Sequence, residues 1–564
     1  MKQRLFFPLF VLAVIVGFSS CSSKLNPLAA DYIKATPQPL EVTAKKIPVT
    51  IDATFPEKWF HKKATLKVIP VLRYAGGEAV GTPYTYQGEK VAGNAQVIPQ
   101  ATGGNVTMRS SFDYVPAMDK SELYLTFEAF IGNKKISLPD VKIGDGVIAT
   151  SALADAGTAN VAIAPDAFQR IIKEAHDANI MFLIQQAELR SSELKKGDLA
   201  DWKKLVKAAN EAENQNVNVE ISAYASPDGG QSLNDKLAAS REKNTNTYLK
   251  KELKKEKVDV PVNARYTAQD WEGFKELVEK SNIQDKNLIL RVLSTYTDPV
   301  EREQQIKNIS SVYSTLADEI LPQLRRSRLT ANVEIIGKSD AEISQLAASN
   351  PKTLTIEELL YAATLTDNES QKATIYKAVT DIFPSDYRGF NNLGAINFSQ
   401  GQVDEAESLF TKASNLSSQS PETSMNLGLV ALTKGNLSAA EQYLGKAGNV
   451  PELNETLGIL ALEKGDYSKA VSYFGNTASN NAALAQILTK DYSKAQTTLG
   501  NVKNADATTS YLQAIVSART NNVSGVVSNL KSAISQDRSI TQKILSDNEF
   551  VKYITNSEVL NLLK

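Results

Sequence analysis

One cysteine in 564 residues, Cys21, excludes any intramolecular disulfide in whatever compartment the chain works. Histidine is almost as scarce: His61 and His176 are the only two, and they fall in regions of different pattern. No Gly-x-Ser-x-Gly, His-Glu-x-x-His or phosphate-cradling loop is present. No catalytic residue, metal or cofactor is therefore expected. The one enzymatic alternative left open is a carboxylate-dependent cell-wall or glycan hydrolase, because 63 acidic residues offer too many pairs to exclude. A basic excess is also lacking, with 62 Lys and Arg against 63 Asp and Glu and a net charge of −1. That balance argues against nucleic acid as a partner. One apolar run stands in the first twenty residues.

That run reads MKQRLFFPLFVLAVIVGFSSC. Lys2 and Arg4 form a positive head, Leu5 to Phe18 an apolar core, and Ser19 and Ser20 a small-residue boundary before Cys21. The core is too short for a transmembrane helix and has the flanks of a signal peptide spanning 1–20. Cys21 at this boundary resembles the lipobox of bacterial lipoproteins, with Phe18 where Leu is usual; a plain secretory signal is the alternative. The resemblance implies lipidation of Cys21, and each buried CH₂ of an acyl chain stabilises membrane attachment by about 0.8 kcal/mol. Surface-exported lipoproteins of some Gram-negative lineages carry acids just after the cysteine. Ser22-Ser23-Lys24 stands there instead, which favours the periplasmic face of the outer membrane.

The length implies several domains. Residues 21–40 read as the lipidated cysteine and a linker. From 41 to 155 the segments KIPVTIDATF, ATLKVIPVLRY, TYQGEKV and ELYLTFEAF alternate apolar and polar residues, with YAGGEAV and IGNKK as turns. This predicts a β-sandwich, immunoglobulin-like in size and spacing. His61 reads as a surface or strand-edge residue, with Trp59 and Phe60 in the core. From 160 to 340 helical and strand periods mix. DAFQRIIKEAHDA (166–178) and LADWKKLVKAANEAENQ (199–215) read as helices, and NIMFLIQQ, VNVEISAY and TANVEII as strands. His176 then lies near a helix end, where the dipole favours a cation.

From 353 to 564 the chain is helical and repeats itself. NNLGAINFSQGQVDEAESLFTKA (391–413), MNLGLVALTKGNLSAAEQYLGKA (425–447) and ETLGILALEKGDYSKAVSYFGNT (455–477) align. Gly394, Gly428 and Gly458 are in register, as are Gly401, Gly435 and Gly465, then Ala406, Ala440 and Ala470. Decayed copies follow at 490–499 and 511–534. The pattern resembles tetratricopeptide repeats. The first glycine and the alanine let paired helices approach, and the second glycine turns between them. The resemblance implies an all-α solenoid whose groove takes protein partners.

The stretch VEISAYASPDGGQSLNDKLAASREKNTNTYL (219–249) reads as a strand, a Pro- and Gly-containing turn and a polar helix. Tyr224, Gly229, Asn234, Leu237, Arg241 and Tyr248-Leu249 resemble the motif of the OmpA-like peptidoglycan-binding domain, an α+β fold. LRRSRLTANVEI (324–335) resembles the Arg-rich start of that family's last strands. The interval before it is longer than the family's and carries two added helical segments, with Trp271 as core. The family's ligand is the diaminopimelate of the peptide stem, whose ammonium pairs with an Asp and whose carboxylate takes an Arg bidentately. Here Arg241 keeps the Arg position, while the Asp position holds Ser226, which supplies no countercharge. Such a loss costs about 1.5–3 kcal/mol of binding. Asp228, two residues on in the same turn, is the candidate replacement.

Together these readings predict a non-enzymatic, lipid-anchored outer-membrane scaffold facing the periplasm. Its central domain is expected to contact peptidoglycan, or a substitute partner, through Tyr224, Ser226, Asp228, Asn234 and Arg241. Its solenoid is expected to bind proteins. A surface-exposed adhesin or a fimbria or secretion assembly factor is the alternative.

Overall fold

A computed structural model describes residues 25–283 and 285–563, without the side chains of 310–312. The signal-peptide segment and Cys21 lie outside the described residues. The chain folds into two compact units, one formed by Met1–Pro165 together with Phe383–Lys564 and the other by Asp166–Ile382. The second unit is thus inserted in sequence between two parts of the first, where the pattern alone suggested three successive domains.

The N-terminal part holds β1 (Ile33–Thr36), β2 (Leu40–Glu41), β3 (Lys46–Phe55), β4 (Ala64–Tyr74), β5 (Gly77–Val80), β6 (Tyr84–Gly88), β7 (Gln96–Ile98), β8 (Gly104–Asp113), β9 (Ser121–Ile131), β10 (Lys134–Ile136), β11 (Val141–Asp145) and β12 (Val147–Ile148). One sheet runs β1-β3-β8 and the other β10-β9-β4-β6-β7, with β11 added to β9 and β5 to β4. Strict alternation drives this pairing. β3 buries Ile47, Val49, Ile51, Ala53 and Phe55 and exposes or half-exposes the residues between them. Those side chains share one core with Leu66, Val68 and Leu72 of β4 and Leu123, Leu125 and Ala129 of β9. Trp59 stacks on Phe55 beside this core, ring centroids 5.2 Å apart. The expected linker over 21–40 is corrected: β1 pairs antiparallel with β3, from Ile33 opposite Ala53 to Thr36 opposite Thr50. A four-residue strand beside two prolines has too few alternations to be visible without its partner.

The inserted unit begins with β13 (Ile171–Met181), α1 (Ser191–Leu194), α2 (Gly197–Glu211), β14 (Gln215–Tyr224), α3 (Gln231–Lys255) and β15 (Val262–Thr267). Next come α4 (Trp271–Lys280), α5 (Lys286–Thr295), α6 (Pro299–Asn308), α7 (Ser310–Thr315), α8 (Leu321–Leu324) and β16 (Arg326–Ile336). The sheet order is β13-β16-β14-β15. β14 and β15 run parallel, as the crossover through α3 requires. α2 lays Leu199, Trp202 and Val206 on the sheet against Val219, Ile221 and Leu329. The helices from α4 to α8 form their own small core of Phe274, Val278, Ile289, Leu293, Leu316 and Leu324, with Trp271 packed beside it.

The helix expected over 166–178 is corrected. Residues 171–181 are β13, paired along their whole length with β16 from Ile171 opposite Ile336 to Met181 opposite Arg326. Lys, Glu and Ala in IIKEAHDANIM favour a helix locally, and tertiary pairing overrides that preference. His176 consequently sits in mid-strand, its Nε2 3.0 Å from Glu174 Oε2, and the helix-end argument for it fails. Three further helices, α9 (Asp340–Ser349), α10 (Ile356–Ala362) and α11 (Glu369–Ile382), also belong to this unit, although the last two fall within the solenoid expected from 353. Phe168 stacks on Tyr361 at 4.3 Å between centroids, and Lys338 pairs with Glu358 at 2.9 Å.

The C-terminal part is five consecutive helix pairs: α12 (Tyr387–Ser399) with α13 (Val403–Leu416), α14 (Pro421–Thr433) with α15 (Leu437–Leu444), α16 (Leu453–Glu463) with α17 (Tyr467–Phe474), α18 (Asn480–Leu488) with α19 (Tyr492–Gly500), and α20 (Ala507–Arg519) with α21 (Val523–Gln536). The short α22 (Ile540–Ser546) and α23 (Ser557–Leu562) close the array. A Cβ on Gly428 would meet Leu444 at 2.5 Å and one on Gly458 would meet Phe474 at 2.7 Å, so the first glycine is a packing requirement. The second adopts φ of +77°, +73° and +77° at Gly401, Gly435 and Gly465. The last two pairs make the same turn with Lys490 (φ +66°) and Asn521 (φ +56°), which explains why their repeat signature looks decayed.

Candidate functional site

The turn after β14 gathers all five residues singled out there. Asn234, in the first turn of α3, donates from Nδ2 to the carbonyls of Ser226 (3.0 Å) and Gly229 (2.8 Å), closing the turn on the helix. Ser226 Oγ donates to Asp228 Oδ1 at 2.5 Å. Asp228 is not free to act as the missing countercharge, because Arg325 Nη2 donates to its Oδ2 at 2.9 Å and Arg325 Nε to Ser226 Oγ at 3.2 Å. The Tyr224 ring lies 5.1 Å from the guanidinium of Arg326, which makes a buried pair with Asp270 at 3.0 Å. Asp270 in turn accepts from the Gly273 N–H at the start of α4. Burial pushes its carboxyl up, and Arg326 opposes that shift.

Arg241 departs most from its expected role. It is 1% exposed. Its Nε donates to the carbonyl of Gln186 (2.9 Å), Nη1 to that of Tyr224 (2.8 Å) and Nη2 to that of Leu183 (3.2 Å), and its guanidinium lies 5.0 Å from the Phe182 ring centre. Burial lowers its pKa to about 10, with Arg325 adding to the shift and Asp228 opposing it. The side chain therefore stays charged at neutral pH and ties the loop after β13 to the end of β14. The guanidinium–carboxylate pair nearer to solvent is Arg325 with Asp228, whose side chains are 12% and 16% exposed. The sequence displayed Arg325 and Arg326 only as a basic run before the last strand, with nothing to pair them with Asp228 and Asp270 some sixty to a hundred residues earlier.

The second polar constellation lines the first helices of the solenoid pairs. Asn392 accepts from the Ala164 N–H (2.8 Å) and donates to the Ala164 carbonyl (3.0 Å). Asn426 does the same to Ala162, both at 2.8 Å, and Asn481 to Asp155 at 3.0 and 2.8 Å. Asn391 adds a bond to the Ala162 carbonyl (3.0 Å), and Glu455 accepts from the Asn160 side chain (3.0 Å). Asn392, Asn426 and Asn481 occupy one repeat position, two residues before Gly394, Gly428 and the corresponding Ala483. The segment they hold, 154–164, packs Ala156, Ala159 and Ala162 into the solenoid core. The groove expected to take protein partners is thus filled by the chain itself along these repeats. The repeats display the groove in sequence, but its occupant lies more than two hundred residues upstream and carries no signal of its own.

Near the end of the solenoid, Asn548 Nδ2 donates to the carbonyls of Asp119 (2.8 Å) and Val147 (2.9 Å), and Arg519 holds Glu549 through Nε at 3.0 Å. Burial pushes Asp547 up to about 6. The Tyr511 hydroxyl and the Glu549 N–H oppose that shift, while the charges of Glu549 and Asp119 add to it.

This fold joins a sheet-rich N-terminal region to a tetratricopeptide-like helical solenoid. No protein-family model and no curated protein matches the chain. Among solved structures it is similar to one from the APC/C hetero-tetramer Cut9–Hcn1, at 18% identity and TM-score 0.33, over 37% of this chain and 45% of that one. It is similar to a tetratricopeptide repeat protein from Parabacteroides merdae at 13% identity and TM-score 0.29, covering 37% of this chain and 90% of that one. For PilF of Pseudomonas aeruginosa the values are 15% and 0.27, with coverage of 40% and 98%. The chain spans less than half the length of the Cut9–Hcn1 chain it matches.

Proposed function

We propose that this chain is a non-enzymatic scaffold of the Gram-negative envelope, anchored in the outer membrane through acylated Cys21 and facing the periplasm. The observation that carries the reading is the carboxamide row: conspicuous buried polar groups of the solenoid converge on polypeptide backbone rather than on a point where a bond would react. An immunoglobulin-like sandwich then serves as the spacer from the bilayer. The inserted unit serves as an OmpA-like domain, a reading supported by the sheet order β13-β16-β14-β15 and by the clustering of Tyr224, Ser226, Asp228, Asn234 and Arg241 at one turn. Its contact with peptidoglycan runs through Asp228 and Arg325 once their mutual ion pair opens, the carboxylate then turning to the stem's ammonium and the guanidinium to its carboxylate. Arg241 supports them from behind.

Sedimentation of residues 22–564 with purified sacculi tests this, with wild type beside Asp228→Asn and Arg325→Gln at low and high salt. Wild type is expected to pellet and both variants to remain in solution. A wild type that stays in the supernatant removes the peptidoglycan contact and leaves a protein in its place, to be sought by cross-linking in cells.

A further inference from the structure

The segment in the groove is held in an unusual way for a piece of core. Three carboxamides at one repeat position each read both the N–H and the carbonyl of a single residue, at Ala164, Ala162 and Asp155. This is how a strand reads a neighbouring strand, and it takes no account of side chains. What the groove does read is size. Ala162 and Ala164 are each 1% exposed, so a larger side chain there must displace what packs on them, while Ile163 between them is 43% exposed. Anchoring through large apolar side chains is absent at these positions; methyl groups take their place.

Vacating the groove uncovers the apolar positions beneath Ala156, Ala159 and Ala162, but its polar groups fare differently from those of an opened core. Asn391, Asn392, Asn426 and Asn481 are buried beneath the segment. Once it leaves, they meet water, which replaces the lost hydrogen bonds and leaves no orphaned polar group. The segment is covalently continuous with the chain on both sides, so its occupancy rests on high effective concentration as much as on contact strength. A groove lined by hydrogen-bonding groups that tolerate water, filled by a tethered ligand of minimal side-chain content, has the makeup of a peptide site closed in cis.

We propose that residues 154–164 are an internal pseudo-ligand, and that the carboxamide row accepts in trans an extended segment of a partner protein with alanine or another small residue at the two inward positions. This rests on the scaffold reading and adds its regulation: the partner is admitted only when the chain's own strand is displaced. Backbone recognition makes the site tolerant of sequence, and the tethered strand sets the threshold a partner must exceed.

The test uses the full soluble chain and a fluorescein-labelled peptide of residues 150–165 (TSALADAGTANVAIAP). Ala162→Trp combined with Ala164→Trp expels the resident strand. Fluorescence anisotropy should then show peptide binding at least tenfold tighter than to wild type, and adding Asn426→Ala and Asn392→Ala to the opened chain should abolish the gain. An opened chain with the helical circular dichroism of wild type that binds the peptide no better than wild type overturns the proposal. Hydrogen exchange of wild type decides the matter if the opened chain fails to fold. The Ala162 and Ala164 amides are expected to exchange faster than the amides of α14 and α16. Exchange at the rate of those helices makes the strand a permanent part of the core and overturns the proposal. Either failure leaves the scaffold reading standing, since that reading fails only if cross-linking of the wild-type chain captures no partner on any face.

Discussion

The turn after β14 and the groove of the solenoid are both polar clasps closed on the chain's own backbone, but they are closed with different chemistry. In the turn a buried cation, Arg241, grips three carbonyls, and a second guanidinium, Arg325, holds Asp228. In the groove neutral carboxamides at repeated positions grip N–H and carbonyl groups in pairs. A buried charge deprived of its partners is expensive to leave in place, so the Arg241 clasp is expected to act as permanent structure. A carboxamide released from its partner turns to water at little cost, so the groove is expected to be the exchangeable one.

The sharpest way to break this comparison is Arg241→Ala. Three carbonyls lose their donor, and the inserted unit should lose about 3–5 kcal/mol of stability. Denaturant unfolding followed through Trp202 and Trp271, both in that unit, measures it. A loss below about 1 kcal/mol would mean that the guanidinium is spare and available to a ligand. Asn426→Ala comes next. It removes the acceptor of the Ala162 N–H and one of the two donors to the Ala162 carbonyl, the other being Asn391, and should cost the first unit about 1–2 kcal/mol, with faster amide exchange confined to 160–164. An unchanged exchange rate would remove the row from any role in holding the strand.

A smaller effect sharpens the account of the solenoid itself. Gly458→Ala sets a Cβ 2.7 Å from the Phe474 ring. Overpacking of about 1–3 kcal/mol is partly offset by about 1 kcal/mol of helix propensity, for a net loss of about 1 kcal/mol in thermal unfolding. A stabilised variant would show that the ring gives way freely and that the glycine register is not a packing requirement.

A separate effect is a slope with pH. The Asp547 carboxyl titrates at about 6 in the folded chain, raised by burial, against about 3.9 in an unfolded one. The groups around it are Tyr511, Glu549, Asp119 and Lys543. A raised folded value means that the folded state binds the proton more tightly. The contribution is therefore fully present below about pH 4 and lost as pH rises through about 6. Unfolding free energies at pH 4.5 and 7 should show wild type losing stability over this window relative to Asp547→Asn. Parallel behaviour of the two chains would mean that the carboxyl is not held protonated.

Much of the fold was legible because its signals are periodic. KIPVTIDATF and ATLKVIPVLRY became β3 and β4 with the bounds their alternation suggests. The glycine register marked three helix pairs, and the two decayed copies fold alike because a Lys and an Asn adopt the left-handed turn that glycine takes elsewhere. The strand over 171–181 was misread because Lys, Glu and Ala favour a helix until a long neighbour, β16, offers eleven pairings. β8 escaped notice because GNVTMRSSFD alternates without the usual β-branched density, and its partner β3 supplies the rest.

For the candidate sites the division is similar. The residues of the turn were singled out through their resemblance to the OmpA-like motif, and the structure gathers Tyr224, Ser226, Asp228, Asn234 and Arg241 around it. Their bonding was not legible, because Arg325 reaches Asp228 across about a hundred residues of chain and Arg241 spends its donors on carbonyls that any sequence possesses.

The sequence by itself determined the periodicities: which segments alternate, which repeat, and where helices must touch closely enough to demand glycine. Those follow from local geometry and residue volume, which neighbours in the chain impose on one another. The tertiary structure alone decided which backbone fills each clasp. Backbone N–H and carbonyl groups are the same in every residue, so a site built to grip them leaves no mark on the segment it holds.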